Sequence, residues 1–197
     1  SEDLLRLAGV SSDVRIATPA GESLRKRLPW LAVNLVTAFI AASVVALFES
    51  TIERVTALAV FMPIVAGMGG NAGTQTLTVV VRALALGELS WDSARKAVFK
   101  EAIVGLGNGV ALGLLAAGVA WFIKGDPMLG LLLGMAMVCN MFVAATAGTL
   151  VPLGLKAMKV DPALASSVFI TTFTDVVGFA SFLGLATVFL RYLVTVQ

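Results

Sequence analysis

The sequence predicts an all-α membrane protein with five transmembrane helices, the second of them broken by a stretch rich in proline and glycine. Of the 197 residues, 58% are hydrophobic and only 13% are charged, whereas globular proteins contain about 25% charged residues. The apolar residues form five long stretches, and a helix needs about 20 such residues to cross a bilayer. The stretches cover residues 28–48, 55–81, 102–123, 127–155 and 162–190.

The residues before the first stretch differ in composition. Residues 1–27 carry both charges, and Leu4, Leu5 and Leu7 have the spacing of a short amphipathic helix, which a linker with Ser, Gly and Pro follows. We therefore expect a cytoplasmic head segment and linker over residues 1–27 and a five-helix transmembrane domain over residues 28–197.

The basic residues predict the orientation, because the cytoplasmic flanks of spans retain lysine and arginine. Eleven of the fourteen basic residues fall on one side of the predicted spans and three on the other. The larger set is Arg6, Arg15, Arg25, Lys26, Arg27, Arg82, Arg95, Lys96, Lys100, Lys156 and Lys159; the smaller set is Arg54, Lys124 and Arg191. We expect a protein of the cell (inner) membrane with its N-terminus in the cytoplasm and its C-terminus outside.

The centre of the second stretch combines helix-breaking and polar residues within thirteen positions. They are Pro63, Gly67, Gly69, Gly70, Asn71, Gly73, Thr74 and Gln75. Proline removes a backbone donor and glycine raises the cost of helical order. Irregular backbone inside a membrane is tolerated where protein covers it or water reaches it, so we expect a broken helix with Gly67 and Gly70 on a polar path. The alternative is a kinked helix whose glycines pack against a neighbour.

The fifth stretch is interrupted by one charge, Asp175. At about 100° per residue, its small and polar residues share one helix face. This face holds Leu164, Ser167, Thr171, Thr174, Asp175 and Gly178. A carboxylate within a membrane is costly and by default functional, so we expect Asp175 on a cation path that Ser167 and Thr174 also line. The alternatives are a protonated Asp175 bonded to a neighbour, or an ion pair.

Other residue types narrow the chemistry. The chain has no histidine and a single cysteine, Cys139, so oxygen ligands and a hard cation are favoured. Magnesium is bound through one or two carboxylates and keeps several waters. One carboxylate cannot balance a divalent charge, but a two-fold homodimer would bring two copies of Asp175 together. The sequence shows no pair of a nucleophile and a base that would predict an enzyme. The membrane topology accounts for the positions of the basic residues, so they do not indicate binding of nucleic acid.

Acidic residues also lie near the ends of the spans. Glu49 and Glu53 follow the first span on the predicted outer side, where they could concentrate cations; simple surface solvation explains them equally well. Asp161, Glu101, Glu2 and Asp3 are on the predicted cytoplasmic side, where an inner metal cluster is conceivable.

Several of these segments resemble the MgtE family of magnesium channels. The segment PIVAGMGGNAGTQ is similar to the family's second-helix motif, and FESTIERVTALAVFMP to the sequence before it. VDPALASS and TDVVG resemble the start and the pore-facing acid of the fifth helix, and the resemblance includes the head segment SEDLLRLAGV.

The resemblance implies a homodimer in the lipid bilayer, with a pore on its two-fold axis lined by the second and fifth helices. It implies that Asp175 recognises hydrated Mg²⁺ with the backbone carbonyl of Thr171, and that Asn71 lies in the pore. It implies inner Mg²⁺ sites at Glu2, Asp3 and Asp161. Members of this family carry a cytoplasmic regulatory part with a CBS pair before the head segment, so we expect the chain to be the membrane domain alone.

The predicted function is a passive magnesium channel for uptake. The alternative is a proton-coupled or sodium-coupled divalent cation transporter, because broken helices near the midplane also suit transporters. A third interpretation is a membrane anchor that transports nothing and whose polar groups serve only the assembly of its helices.

Overall fold

The computed structural model describes residues 16–89, 91–162 and 167–194, and its regular structure is helical. The helices are α1 (Ala20–Ala46), α2 (Glu49–Arg54), α3 (Ala57–Ala85), α4 (Trp91–Lys124), α5 (Pro127–Ala157), α6 (Ser167–Val188) and α7 (Leu190–Val194). No strand occurs among the described residues. The all-α prediction is confirmed.

Five of these helices, α1 and α3 to α6, are long and apolar enough to cross a membrane. The predicted number of spans is therefore confirmed, and the chain is a multi-pass membrane protein. Some helices extend beyond the predicted apolar stretches, and α4 does so most clearly, because it begins at Trp91, eleven residues before its predicted span. The segment WDSARKAVFKE continues the helix because it contains neither proline nor glycine.

The predicted break of the second span is wrong as far as helical structure is concerned. α3 is one helix from Ala57 to Ala85, with Pro63 inside it. Proline deprives one carbonyl of its helical partner, and the hydrogen-bonding pattern continues beyond it. Gly69, Gly70 and Gly73 are buried where side chains of α5 and α6 approach α3. These three glycines therefore allow close packing against neighbouring helices, which is the role that the alternative interpretation of this span gave them.

α4 and α5 form a hairpin in which glycines allow the backbones to approach closely. The four-residue spacing of Gly105, Gly109 and Gly113 in α4 predicts this contact. A Cβ added to Gly113 would lie 2.8 Å from the Gly134 carbonyl oxygen of α5. The turn between the helices has Gly125 at φ 70°, and Asp126 caps α5 by accepting a hydrogen bond of 2.8 Å from the Met128 amide.

α5 is the central helix and α1 is peripheral. α5 packs against α4, α3 and α6, whereas α1 packs mainly against α6, where Trp30 meets Phe169 edge to face. Most of α5 is buried within the protomer, but α1 exposes large apolar side chains such as Phe39 at 64%. The outer surfaces of α1 and α4 therefore have the composition of lipid-facing or helix-facing surface.

Candidate functional site

The two polar segments that the sequence singles out lie against each other. α3 and α6 pack in antiparallel directions, because Gly73 of α3 faces Ile170 of α6 while Val65, two turns earlier, faces Gly178. Between them, a Cβ added to Gly70 would lie 3.1 Å from the Thr171 Cγ2 atom. The second-helix motif and the polar face of the last long helix thus form one contact.

Asp175 lies at the edge of this contact. It is half-buried in α6, one helical turn beyond Thr171. The pairs Gly73–Ile170 and Val65–Gly178 put it level with Met68, which is three residues, or about 4.5 Å along the helix, from Asn71. Asn71 itself is exposed. The residues whose carboxylate and amide are predicted to act together therefore lie within one helical turn of the same depth in the bundle.

The predicted path-lining residues separate into two groups. Gly67 is exposed, with no atom of another element within 4 Å of a Cβ added there, and Ser167 is half-buried at the start of α6. Gly70 and Thr174 are buried in the α3–α6 contact. This burial differs from the expectation that both residues line a path, because a helix face about 100° wide is divided here between a packed side and a free edge.

The hydroxyls on α6 donate to carbonyls of the same helix, which satisfies their protons inside an apolar environment. Thr171 Oγ1 donates to the Val168 carbonyl at 3.0 Å, and Thr174 Oγ1 donates to the Thr171 carbonyl at 2.9 Å. The Thr171 carbonyl, which also takes part in the helical ladder, therefore already has a side-chain donor. The Thr171 hydroxyl is a donor in its bond to Val168, so its oxygen keeps acceptor capacity.

Asn140 is a polar residue of this region that the sequence analysis missed. It is fully buried in α5, and its Nδ2 donates to the Val65 carbonyl of α3 at 2.8 Å. The amide lies between Gly69 and Gly178, and its Oδ1 has no hydrogen-bond partner among the described residues. The sequence does contain a signal for it, because an amide side chain inside an otherwise apolar span usually forms a hydrogen bond with another helix.

The remaining predicted acids lie at opposite ends of α6. Glu49 and Glu53 are exposed on α2 and border a groove of about 510 Å³ between α1 and α2. α2 is attached to the C-terminal end of α6 by the Thr51 and Thr187 hydroxyls, 2.8 Å apart. Asp161 is exposed before α6 begins. Glu2 and Asp3 lie outside the described residues.

The described residues contain no group of three or more His, Cys, Asp or Glu side chains that could hold a metal ion. Asp175 is therefore not part of a chelating cluster within this part of one protomer. Gln75 and Glu101 border a separate cleft of about 190 Å³ between α3, α4 and α5, together with Asn108. The only carboxylate at the α3–α6 contact is that of Asp175 among the residues that the structure describes.

Comparisons with known proteins agree on one family. The profile of the MgtE family, described as a divalent cation transporter, matches residues 62–185, which include the α3 glycines and Asp175. Proteins described as "Magnesium transporter MgtE" are 34% identical in Bacillus subtilis, 36% identical in Enterococcus faecalis and 34% identical in Thermus thermophilus. These matches cover 97–98% of the chain but 43% of each relative.

Proposed function

The chain belongs to the MgtE family of divalent cation transporters, and on that basis we propose that it is the pore-forming part of a passive magnesium channel. The family consists of transporters rather than enzymes. The observation that carries the proposal is the position of Asp175, a half-buried carboxylate beside the α3–α6 contact at the depth of the exposed Asn71. The chain spans 43% of the length of its relatives, so the activity of the whole protein is part of the proposal.

The pore lies on the two-fold axis of a homodimer. A single Asp175 carries half of the charge of a divalent ion, and an isologous interface places the same residue of two copies opposite each other. The free edge of α3 supplies the rest of the lining through Gly67 and Asn71, which are both exposed in the protomer. Gly70 and Thr174 support this lining from behind, because they hold α3 against α6.

Magnesium passes this region with its inner waters retained. Mg²⁺ dehydrates reluctantly, so the two carboxylates accept hydrogen bonds from its waters rather than replacing them. The Asn71 amide and the Thr171 hydroxyl orient further waters. The Thr171 carbonyl accepts a hydrogen bond from a water when the Thr174 hydroxyl, which donates to it in the structure, turns away. No chelating cluster is needed for this mode of recognition.

The membrane potential drives the ion inward. A potential of 100 mV is worth about 2.3 kcal/mol per charge, and thus about 4.6 kcal/mol for Mg²⁺. In the orientation that the basic residues predict, Glu49 and Glu53 lie at the outer mouth and attract cations, while Asp161, Glu2 and Asp3 lie at the inner side. Inner Mg²⁺ sites at these three acids would act with the cytoplasmic regulatory part of a longer protein.

Flux measurements in liposomes test this proposal. The protein is reconstituted with an internal Mg²⁺ dye, and a potential is imposed without a gradient of protons or sodium. We expect influx through the unmodified chain and through Glu88→Gln, a matched control at an exposed loop acid, and at least a tenfold loss in Asp175→Asn. Unchanged flux in Asp175→Asn would remove this carboxylate from the path.

The same assay decides between the channel and its alternative. Flux that appears only when a proton or sodium gradient is added would identify a coupled transporter, in which Asp175 alternates between protonated and cation-bound forms. Absence of flux under both conditions, with folded protein verified by size-exclusion chromatography, would leave the chain as a membrane anchor.

A further inference from the structure

A groove at the beginning of α4 combines cationic and apolar side chains in a way that the magnesium path does not use. It has a volume of about 580 Å³ and is lined by Arg95, Lys96, Phe99, Lys100, Ile103 and Val104. Residues four positions apart lie above one another on a helix. The groove therefore consists of two parallel rows on one helix face, each with a basic residue at its first position.

The basic side chains of the groove are available to a ligand. Arg95 and Lys96 are exposed, and neither forms a salt bridge that the structure records among the residues it describes. The Lys100 ammonium lies 3.5 Å from the Glu101 carboxylate, but the Lys100 side chain is 73% exposed and Glu101 only 12%. Because Arg95, Lys96 and Lys100 outnumber the neighbouring acid, the groove carries a net positive charge.

Two apolar side chains of the groove are exposed near the start of the apolar stretch of α4. Phe99 is 70% exposed and Ile103 is 55% exposed. The charge-free stretch begins at Ala102, so Ile103 lies at its start and Phe99 lies one turn before it. Arg95 and Lys96 lie one turn before Phe99, and Lys100 directly follows it, so the three cations adjoin the end of the apolar stretch, where charged side chains reach headgroups.

From this arrangement we propose that the groove binds one anionic phospholipid, with its phosphate and acidic headgroup against Arg95, Lys96 and Lys100 and an acyl chain along Phe99 and Ile103. Charge complementarity favours an anionic over a zwitterionic headgroup, and each basic residue near the membrane surface contributes about fivefold to the binding constant. The continuous step from cationic to apolar lining fits an amphiphile better than a free phosphate ion, which would leave Phe99 and Ile103 without a role.

The test is native mass spectrometry of the detergent-purified protein titrated with phosphatidylglycerol and, separately, phosphatidylcholine of the same acyl chains. The groove variant is Arg95→Gln/Lys96→Gln/Lys100→Gln. Its matched control is Arg25→Gln/Lys26→Gln/Arg27→Gln, which removes three charges near the start of α1, on the same predicted side of the membrane. Five of the six residues are exposed, and Lys26 is partly exposed and paired with Glu22. Both variants are therefore expected to fold, which thermal melting verifies.

We expect the unmodified protein and the α1 control to retain a bound phosphatidylglycerol in preference to phosphatidylcholine, and the groove variant to lose this preference by tenfold or more. Equal losses in both variants would mean diffuse attraction to a charged surface and would overturn the proposal. So would displacement of the lipid by millimolar inorganic phosphate, which would indicate a phosphate site, and so would absence of any preference in the unmodified protein.

A second variant tests the apolar half of the groove. Phe99→Ser/Ile103→Ser keeps all three cations and removes the surface assigned to the acyl chain. The proposal requires weaker binding of phosphatidylglycerol by this variant, whereas unchanged binding would contradict the amphiphile assignment. Because neither variant alters Asp175 or Asn71, failure of this inference is distinguishable from failure of the proposed channel.

Discussion

Asn140 is fully buried where α3, α5 and α6 meet, and its amide has room there only because Gly69 and Gly178 lack side chains. Its Nδ2 bond to the Val65 carbonyl, 2.8 Å long, connects α5 to α3. Gly178 lies one turn beyond Asp175 on α6. Asn140 therefore helps to set the position of the helix that carries the proposed pore carboxylate.

Two substitutions of Asn140 separate the contribution of its polar groups to stability from the contribution of its side-chain volume. Asn140→Ala removes both, and we expect it to destabilise the bundle by about 1–3 kcal/mol, because interhelical hydrogen bonds contribute about 0.6–2 kcal/mol and a cavity adds to the loss. Asn140→Leu keeps the branched shape at a somewhat larger volume and removes both the Nδ2 bond and the unpartnered Oδ1 acceptor, so we expect a smaller loss because no cavity and no unsatisfied polar atom remain. Unfolding in detergent measures both, and equal stability of all three proteins would contradict the role given to this residue.

The residue scale also shows what the sequence could and could not predict. The sequence predicts a functional role for Asp175, because a carboxylate inside an apolar stretch is costly wherever the helix lies, and this role stays a prediction. The burial of Thr174 was not predicted, because helical periodicity defines a face but not the neighbours that cover part of it. Asn140 needed its partner on α3, and a single sequence does not give the register between helices.

At the scale of elements, α3 differs most from expectation. The density of proline and glycine predicts a broken helix from propensities that are measured in water. In the bundle, Gly69, Gly70 and Gly73 face Asn140, Thr171 and Ile170, so the packing that these glycines permit offsets their weak helix propensity. The five spans themselves were predictable, because length and hydropathy suffice to define them.

Alanine substitutions along α3 test the distinction between the glycines that are packed against other helices and the exposed Gly67. A Cβ at Gly73 would collide with the Ile170 side chain, whereas a Cβ at Gly67 would meet no atom of another element within 4 Å. We expect Gly73→Ala to lower stability by about 1–3 kcal/mol through overpacking, and Gly67→Ala to leave stability unchanged or raise it by up to about 1 kcal/mol. Thermal melting in detergent is the measurement, and equal effects of the two substitutions would refute the assignment.

α2 allows a test of the proposed outer mouth. Glu49 and Glu53 are exposed and border one groove, so we expect their proposed effect on cation entry to be electrostatic and to decrease with ionic strength. For Glu49→Gln/Glu53→Gln we expect a severalfold lower Mg²⁺ flux in dilute buffer and a small difference at about 1 M salt, where the Debye length is about 3 Å. A loss of flux that salt does not change would mean a direct or structural role.

At the scale of the whole molecule, the proposed pore requires a second copy of the chain. The free edge of α3 with Gly67 and Asn71 faces away from the packed interior of the protomer. In a background of Cys139→Ser, which removes the exposed native cysteine, we expect Asn71→Cys to form a cross-linked dimer with a short bifunctional reagent. Phe122→Cys, at a 91% exposed position near the end of α4, is the control and is expected to remain uncross-linked. Cross-linking at Phe122→Cys but not at Asn71→Cys would place the dimer axis elsewhere.

The proposed pore requires two copies of Asp175 to act on one ion. Differently tagged unmodified and Asp175→Asn chains can be co-expressed, and purification over both tags yields dimers that contain one carboxylate. Mg²⁺ flux of these mixed dimers is measured under an imposed potential and compared with that of dimers that contain two carboxylates or none, which distinguishes joint from independent action of the two carboxylates. We expect mixed dimers to conduct well below half of the two-carboxylate rate, because one charge no longer balances the divalent ion. Flux of mixed dimers at half of the two-carboxylate rate or above would contradict this expectation, since the two carboxylates would then act independently.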